Sequence, residues 1–275
     1  MRYRQDLTEY IKYFTEHRDC VICGGQGKLW AKLEPFTAVE CECGFVWINP
    51  YPNSEGLDKY YRNYVGDRER ETELCKKRIM QYKIDANFLQ HFVAHGKILD
   101  VGCSDGGFLT ALSDGFYKHG IDVDSEAVER ARSKGLNVSS EYIEHYEGEF
   151  DVVTMRGVIE HFPDPVQAID SVKRLLRKGG YFYVCATPDV SSFCADLYRE
   201  KWNQFHPVEH LSYFSVDTLT KLLDGFDYVL HYHPYIETPY WRADDYEKIV
   251  EYCNGKQGVS PAFWGSMMNV IYRRA

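Results

Sequence analysis

Four cysteines in a short N-terminal window are the first residues whose types and spacing imply chemistry. Cys20-x-x-Cys23 and Cys41-x-Cys43 lie in two short runs, CVICGG and CECG, separated by the hairpin-like LWAKLEPFTAV. Each run has glycine available for the turn that points two thiolates inward. Four thiolates suit a closed, tetrahedral structural Zn2+ site with no position left open for water. The second pair departs from the more usual C-x-x-C, and an iron–sulfur cluster is the less favoured occupant because nothing else in the chain suggests redox work. The remaining cysteines, Cys75, Cys103, Cys185, Cys194 and Cys253, are scattered and read as small core residues.

A second constellation surrounds a glycine turn. KILDVG (97–102) is a mostly apolar strand that runs into Asp100-Val-Gly102-Cys103-Ser104-Asp-Gly106-Gly107, and GFLTAL then starts a helix. Gly102 permits the sharp turn, while Gly106 and Gly107 let a ligand approach the helix start. The dinucleotide fingerprint G-x-G-x-x-G is not met, since Ser104 and Asp105 stand where glycine is expected. An acid inside the strand, Asp100, and a second at the end of the next strand, Asp122, sharpen the signal. A carboxylate at the second position can accept hydrogen bonds from both hydroxyls of a ribose; otherwise it would only help to cap a helix.

The elements that must position these residues follow a regular pattern. HGIDVD (119–124) is the second strand, and Asp124 or Ser125 caps the helix EAVERARSKG. FDVVTM (150–155) is a buried strand. The helix after it starts at Asp164-Pro165, with Val166, Ile169, Val172 and Leu175 on one face. YFYVCAT (181–187) is the next strand, Ser215 caps a helix bearing Leu219, and FDYVLHYHPY and MMNVIYRR supply two final strands. Repeated βα units imply a parallel sheet covered by helices on both faces, whose ligand sits beyond the carboxyl ends of the strands. Upstream, Leu7, Tyr10, Ile11 and Phe14 recur at helical spacing, and Met80, Ile84, Phe88 and Phe92 form a stripe that packs a helix on the next domain. The expected organisation is a zinc-binding module over 1–50, a helical connector over 51–95, and an α/β domain over 96–275 carrying an aromatic insertion at about 236–266.

Composition excludes several classes. The chain has 275 residues, 44% hydrophobic and 27% charged, so it can bury a sizeable core and is neither fibrous nor disordered. Its net charge of −9 argues against retention on nucleic acid by bulk charge. No window approaches the roughly 18 apolar residues of a membrane span. The start, MRYRQDLTEYIKYF, lacks a signal peptide's apolar core, so the expected compartment is the cytoplasm.

LDVGCSDGGFL, GIDVDSEAV, FDVVTMRGVIEHFPDP and KGGYFYVCATP resemble, in content and order, the motifs of class I S-adenosylmethionine-dependent methyltransferases. The match covers about 97–188, with a weaker tail through HPVEHLSYFSVDTLTKLL. The resemblance implies a seven-stranded, mostly parallel, Rossmann-like sheet whose last strand is antiparallel. It places Asp100 near the methionine amino group of the cofactor and Gly102, Cys103, Ser104 and Gly106 around its backbone. Asp122, with Val123 beside it, would hold the ribose, Glu141 and Tyr142 would lie near the adenine, and Met155 and Arg156 would line the cleft. Tyr61 and Tyr64 are candidates to close over the cofactor. The family's middle glycine is Ser104 here, which suits that position if its φ is negative.

Methyl transfer is an in-line displacement in which the protein aligns the acceptor and, for an oxygen, removes a proton. The candidate bases are His161 after the fourth strand, and His206 and His210 after the fifth. The aromatic insertion suits a sugar or another flat, hydroxylated substrate. The expected activity is therefore methylation of a small molecule, a sugar or a glycan or natural-product precursor, yielding S-adenosylhomocysteine. RNA methylation using the zinc module is the alternative; Lys28 and Lys32 are too few for a phosphate track. A catalytically silent cofactor-binding protein is the non-enzymatic alternative.

Overall fold

The computed structural model describes residues 7–57, 59, 68–233 and 243–275; Tyr61 and Tyr64 lie outside them, as does part of the aromatic insertion. The N-terminal segment begins with a 3-10 turn, Leu7–Tyr13, followed by β1 (Phe14–Glu16), β2 (Lys28–Leu33), β3 (Phe36–Glu40), β4 (Val46–Ile48) and β5 (Tyr51–Pro52). LWAKLEPFTAV forms the expected hairpin, with β2 and β3 antiparallel. The rest of the chain runs α1 (Arg68–Gln90), β6 (Gly96–Val101), α2 (Gly107–Ala111), β7 (Phe116–Ile121), α3 (Ser125–Ser133), β8 (Asn137–Ser139) and β9 (Phe150–Arg156). It continues with α4 (Pro165–Leu175), β10 (Leu176–Pro188), α5 (Phe193–Tyr198), β11 (Ser212–Tyr213), α6 (Val216–Leu222), β12 (Phe226–Tyr232), α7 (Ala243–Cys253) and β13 (Met267–Arg274).

Seven strands form one sheet in the order β12-β13-β10-β9-β6-β7-β8. β8, β7, β6, β9 and β10 are parallel, and β13 runs antiparallel between β10 and β12. Two runs of strands spread outward from β6 and β9, so the chain order reverses there and a crevice opens at their carboxyl ends. Alternation along each strand divides the core. Leu99, Val101, Val153, Met155 and Val184 pack on one face with Ile169, Val172 and Leu175 of α4. Ile98, Val152, Tyr183 and Cys185 pack on the other with Tyr82, Ala86 and Leu89 of α1 and Phe108 and Leu109 of α2.

Local signals behave as their chemistry requires. The Asp124 side chain accepts from the backbone N–H of Glu126 and Ala127 and starts α3. Asp164 does the same for α4, with Pro165 in its first turn, and Ser215 and Thr218 make a reciprocal capping box on α6. Two helix faces differ from the sequence expectation. Met80 is 53% exposed, and the buried side chains of α1 among those described are Gln81, Tyr82, Asp85, Ala86 and Leu89, because a paired carboxylate occupies a position that apolar periodicity ignores. Val166 of α4 is also exposed. No helix among the described residues is long and apolar enough to cross a membrane.

The cysteine-bearing segment is joined to the larger sheet's side of the molecule. β11 adds to β4 antiparallel, Ser212 opposite Trp47 and Tyr213 opposite Val46, giving a four-stranded sheet β11-β4-β3-β2. Trp30 of β2 packs against Trp202, Phe205 and Tyr213, and Phe45 against Phe214.

Candidate active site

The turn after β6 is held by backbone hydrogen bonds to the end of β7. The N–H groups of Gly102 and Cys103 both donate to the Ile121 carbonyl, at 2.8 and 3.0 Å. Gly102 has φ +71, and a Cβ there would lie 2.5 Å from Val158; Gly106 has φ +75, and a Cβ there would lie 2.1 Å from Leu136. Both positions therefore require glycine. Ser104 departs from the sequence expectation: its φ is +48, in the left-handed region. That conformation aims its N–H at the Asp122 carboxylate, 2.7 Å away, while the other Asp122 oxygen accepts from the Asp124 N–H at 2.8 Å. Asp122 thus ties the turn to the end of β7, and the cap of α3 is Asp124.

Asp100 is buried beneath the turn, and Thr154 Oγ1 donates to it at 2.6 Å. Burial pushes its carboxyl up to about 7, against the pull of the Thr154 hydroxyl and the nearby Arg156 charge. The Cys103 thiol is raised by burial and takes no part as a thiolate. Val123 and Tyr142 are exposed at 46% and 61%, and Glu141 is exposed as well, so the two segments reach solvent on the β7–β8 side of the turn. Met155 differs from its expectation: alternation turns its side chain into the core on the α4 face, leaving only backbone for the cleft. Arg156 is also committed, its Nε donating to Asp85 at 3.0 Å with the guanidinium 4.6 Å from the centre of the Tyr82 ring.

The three candidate histidines lie together beyond β9. His161 and His210 have ring centres 4.9 Å apart, and His206 and His210 are 5.2 Å apart. His161 Nδ1 faces the Glu209 carbonyl and His210 Nδ1 faces the Gln204 carbonyl, each at 2.9 Å. His210 is buried, which holds it well below its ordinary pKa, and burial also lowers His161. A buried, carbonyl-bound imidazole is poorly placed as an exchangeable base, so His210 differs from the role expected of it. Glu160 beside them is buried, accepts from Thr187 Oγ1 at 3.3 Å and is pushed up to about 8 by burial. Donor atoms of Glu160, His161 and His210 all lie within 4.8 Å of one another.

Two pairs escaped the sequence reading. His233, after β12, places Nε2 2.9 Å from the Asp189 carboxylate at the end of β10. Asp85 of α1 gathers Arg156, Gln81, Tyr232 and Asn269. The available signals were a histidine in HYHPY and an acid inside an otherwise polar helix, neither of which carries a motif.

The donor set at the turn comprises a buried acid, a second acid at the next strand end and a glycine-permitted cradle, on a sheet whose order reverses there. A family profile described as a methyltransferase domain matches residues 68–233. This chain belongs to that methyltransferase family. It is an S-adenosylmethionine-dependent methyltransferase with the Rossmann-like sheet described above. Among curated proteins, it is 35% identical over 102 residues to the ubiquinone biosynthesis O-methyltransferase of Thiobacillus denitrificans, covering 33% of this chain and 44% of that protein. It is 29% identical over 164 residues to the enzyme of the same name from Vibrio vulnificus, covering 52% and 70%. The methyltransferase fold recurs in a SAM-dependent methyltransferase from Thermotoga maritima, with a TM-score of 0.56, 19% identity, and coverage of 80% of this chain and 100% of that one. The YcgJ protein of Bacillus subtilis gives 0.50, 19%, 69% and 97%.

The four N-terminal cysteines converge as their spacing requires. Cys20 and Cys43 sulfurs are 3.5 Å apart, Cys23 and Cys41 sulfurs 3.3 Å, and all four lie within 4.8 Å of one another. Each pair sits on a tight turn: the Cys20 N–H donates to the Gly25 carbonyl, and the Cys41 N–H to the Phe45 carbonyl. A Cβ on Gly25 would stand 3.0 Å from Cys41 Sγ, so glycine leaves room for the cluster. Sulfur separations near those of a tetrahedron with bonds of about 2.3 Å make this donor set fit a thiolate-bound metal.

Proposed function

We propose that this enzyme transfers a methyl group to an oxygen of a small, hydroxylated ring compound, a sugar or a natural-product precursor, and that Cys20, Cys23, Cys41 and Cys43 hold a structural Zn2+. The observation that carries the reading is the Asp122 carboxylate bound to the Ser104 N–H, which joins the turn to the acid that would hold the ribose. When bound, S-adenosylmethionine supplies an electrophilic methyl group on a sulfonium. In this reading Asp122 and Val123 hold the ribose, Asp100 faces the cationic amino group, and the backbone of Gly102 to Gly106 encloses the amino-acid part. Glu141 and Tyr142 border the adenine, and Arg156 is held by Asp85 as a wall of the cleft. An oxygen acceptor is supported by the relatives' common name, O-methyltransferase. A net charge of −9 favours a small molecule over RNA.

Native mass spectrometry with and without S-adenosylmethionine, followed by S-adenosylhomocysteine release across nucleotide sugars and polyphenols, tests the reading. One zinc per chain and a cofactor adduct lost in Asp122→Ala are expected. A chain that binds no cofactor at millimolar concentration would sink it.

A further inference from the structure

The acceptor side of the sheet carries a histidine–carboxylate pair outside the cofactor cradle. β12 runs in the same direction as β10, because each is antiparallel to β13, so His233 and Asp189 both lie at the carboxyl edge where this fold builds its site. Asp189 is almost fully buried, 3% exposed at its side chain, and is fixed twice over. One of its oxygens accepts from the N–H and hydroxyl of Ser191, at 2.9 and 2.6 Å, and its own N–H donates to the Ser266 carbonyl at 3.0 Å. The other oxygen faces His233 Nε2 at 2.9 Å. A carboxylate can only accept, so Nε2 carries the proton and Nδ1 presents its lone pair. Nδ1 has no hydrogen-bond partner among the described residues, and the ring is 21% exposed. Beside it stand Trp264, 5.6 Å between ring centres and 57% exposed, and farther round Phe263 and the 56% exposed Phe193. Aromatic faces left open next to an oriented imidazole suit a flat ring that carries a hydroxyl.

We propose that His233 is the general base of the transfer, with Asp189 as its positioning residue and Trp264 as the wall against which the acceptor ring lies; this rests on the oxygen-acceptor reading above. As the acceptor oxygen bonds to the methyl carbon, the carbon–sulfur bond breaks with its electron pair remaining on sulfur. The hydroxyl proton passes to His233 Nδ1. The resulting imidazolium is stabilised by Asp189 and later releases its proton to water, as oriented histidines do in other transfers. Among the described residues, the titratable groups facing the ring are Asp189 and His231, the latter 5.4 Å away between ring centres.

The test uses full-length protein, catechol as the probe acceptor, and nitrogen-detected NMR of the histidines with S-adenosylhomocysteine bound. Neutral His233 is expected to be protonated at Nε2 only. His233→Gln is expected to lower kcat by about 100-fold or more, with cofactor Kd within about twofold of wild type by calorimetry. Asp189→Asn is expected to lower kcat at least about tenfold with catechol KM and cofactor Kd near wild type, and to let the proton populate Nδ1 in the nitrogen-detected spectrum, because Nε2–H loses its carboxylate acceptor; a purely structural role would lower Tm and leave the tautomer and kcat in place. Protonation at Nδ1 in wild type, an Asp189→Asn enzyme with wild-type kcat and tautomer, or a His233→Gln enzyme with wild-type kcat would overturn the dyad while leaving the methyltransferase reading intact. Cofactor binding without any turnover of catechol by wild type would overturn the flat-ring acceptor, whereas absence of cofactor binding would strike the underlying reading instead.

Discussion

The Arg156 guanidinium at the end of β9 lies 3.0 Å from the Asp85 carboxylate of α1, with both side chains nearly or wholly out of solvent. Asp85 is saturated: Arg156 donates to one oxygen, and Gln81, Tyr232 and Asn269 to the other at 2.7–3.0 Å. One acid therefore ties α1 to β9, β12 and β13. Asp85→Ala would leave a buried guanidinium and a buried amide without their acceptor. The expected loss is about 3–5 kcal/mol, a fall in Tm on the order of 10 °C by calorimetry. Asp85→Asn keeps the shape and is expected to cost less.

The glycine turn makes a sharper demand than its composition suggests. Gly102→Ala combines a left-handed φ with a Cβ 2.5 Å from Val158, and Gly106→Ala does the same against Leu136 at 2.1 Å. Either variant has to shift the turn, and the Ser104 N–H then leaves Asp122. Cofactor affinity measured by calorimetry is expected to fall at least tenfold in each. Gly135→Ala, which has a left-handed φ with open space around it, is the comparison. It is expected to cost stability with little change in affinity.

Asp100 and Glu160 give the protein a pH dependence whose sign is fixed by burial. Asp100 ionises at its ordinary 3.8 in the unfolded chain and at about 7 when folded. Between those values the folded chain holds a proton that the unfolded chain has released, so stability falls as pH rises from about 4 to about 7. Glu160 adds the same trend between 4.5 and about 8. A cationic group beside Asp100 favours its charged form, so cofactor binding is expected to release a proton and to strengthen about tenfold from pH 6 to pH 8. Calorimetry in buffers of different ionisation enthalpy reads the proton directly. Asp100→Asn is expected to remove the dependence.

Much of this was legible in the primary structure because strand, turn and cap chemistry are local. Val-Gly after an apolar run, Asp124 before α3 and Asp164-Pro165 before α4 need no distant partner to act. The paired cysteines are likewise local, each pair closing its own turn. What escaped was set by contacts across the chain. Asp85 and Arg156 are 71 residues apart and Asp189 and His233 are 44 apart, and each pair is made only by the sheet order. The family resemblance places Met155 in the cleft, but the pleat turns its side chain into the core. Ser104 adopts a positive φ because Asp122, eighteen residues later, receives its N–H.

The two-residue strand β11 was invisible to any pattern, and it governs how the metal site should behave. It joins β4 to the rest of the chain, while Cys20, Cys41, Phe45 and Trp47 share one apolar cluster with Leu211, Phe214 and Leu219. A separate zinc module would melt on its own and leave the methyltransferase sheet folded. A shared core predicts otherwise. Cys41→Ser, or stripping with a chelator, is expected to remove one zinc per chain by elemental analysis and to lower Tm in a single transition that also abolishes cofactor binding. Two separated transitions, with the cofactor still bound after the first, would show that the cysteine site braces only its own sheet.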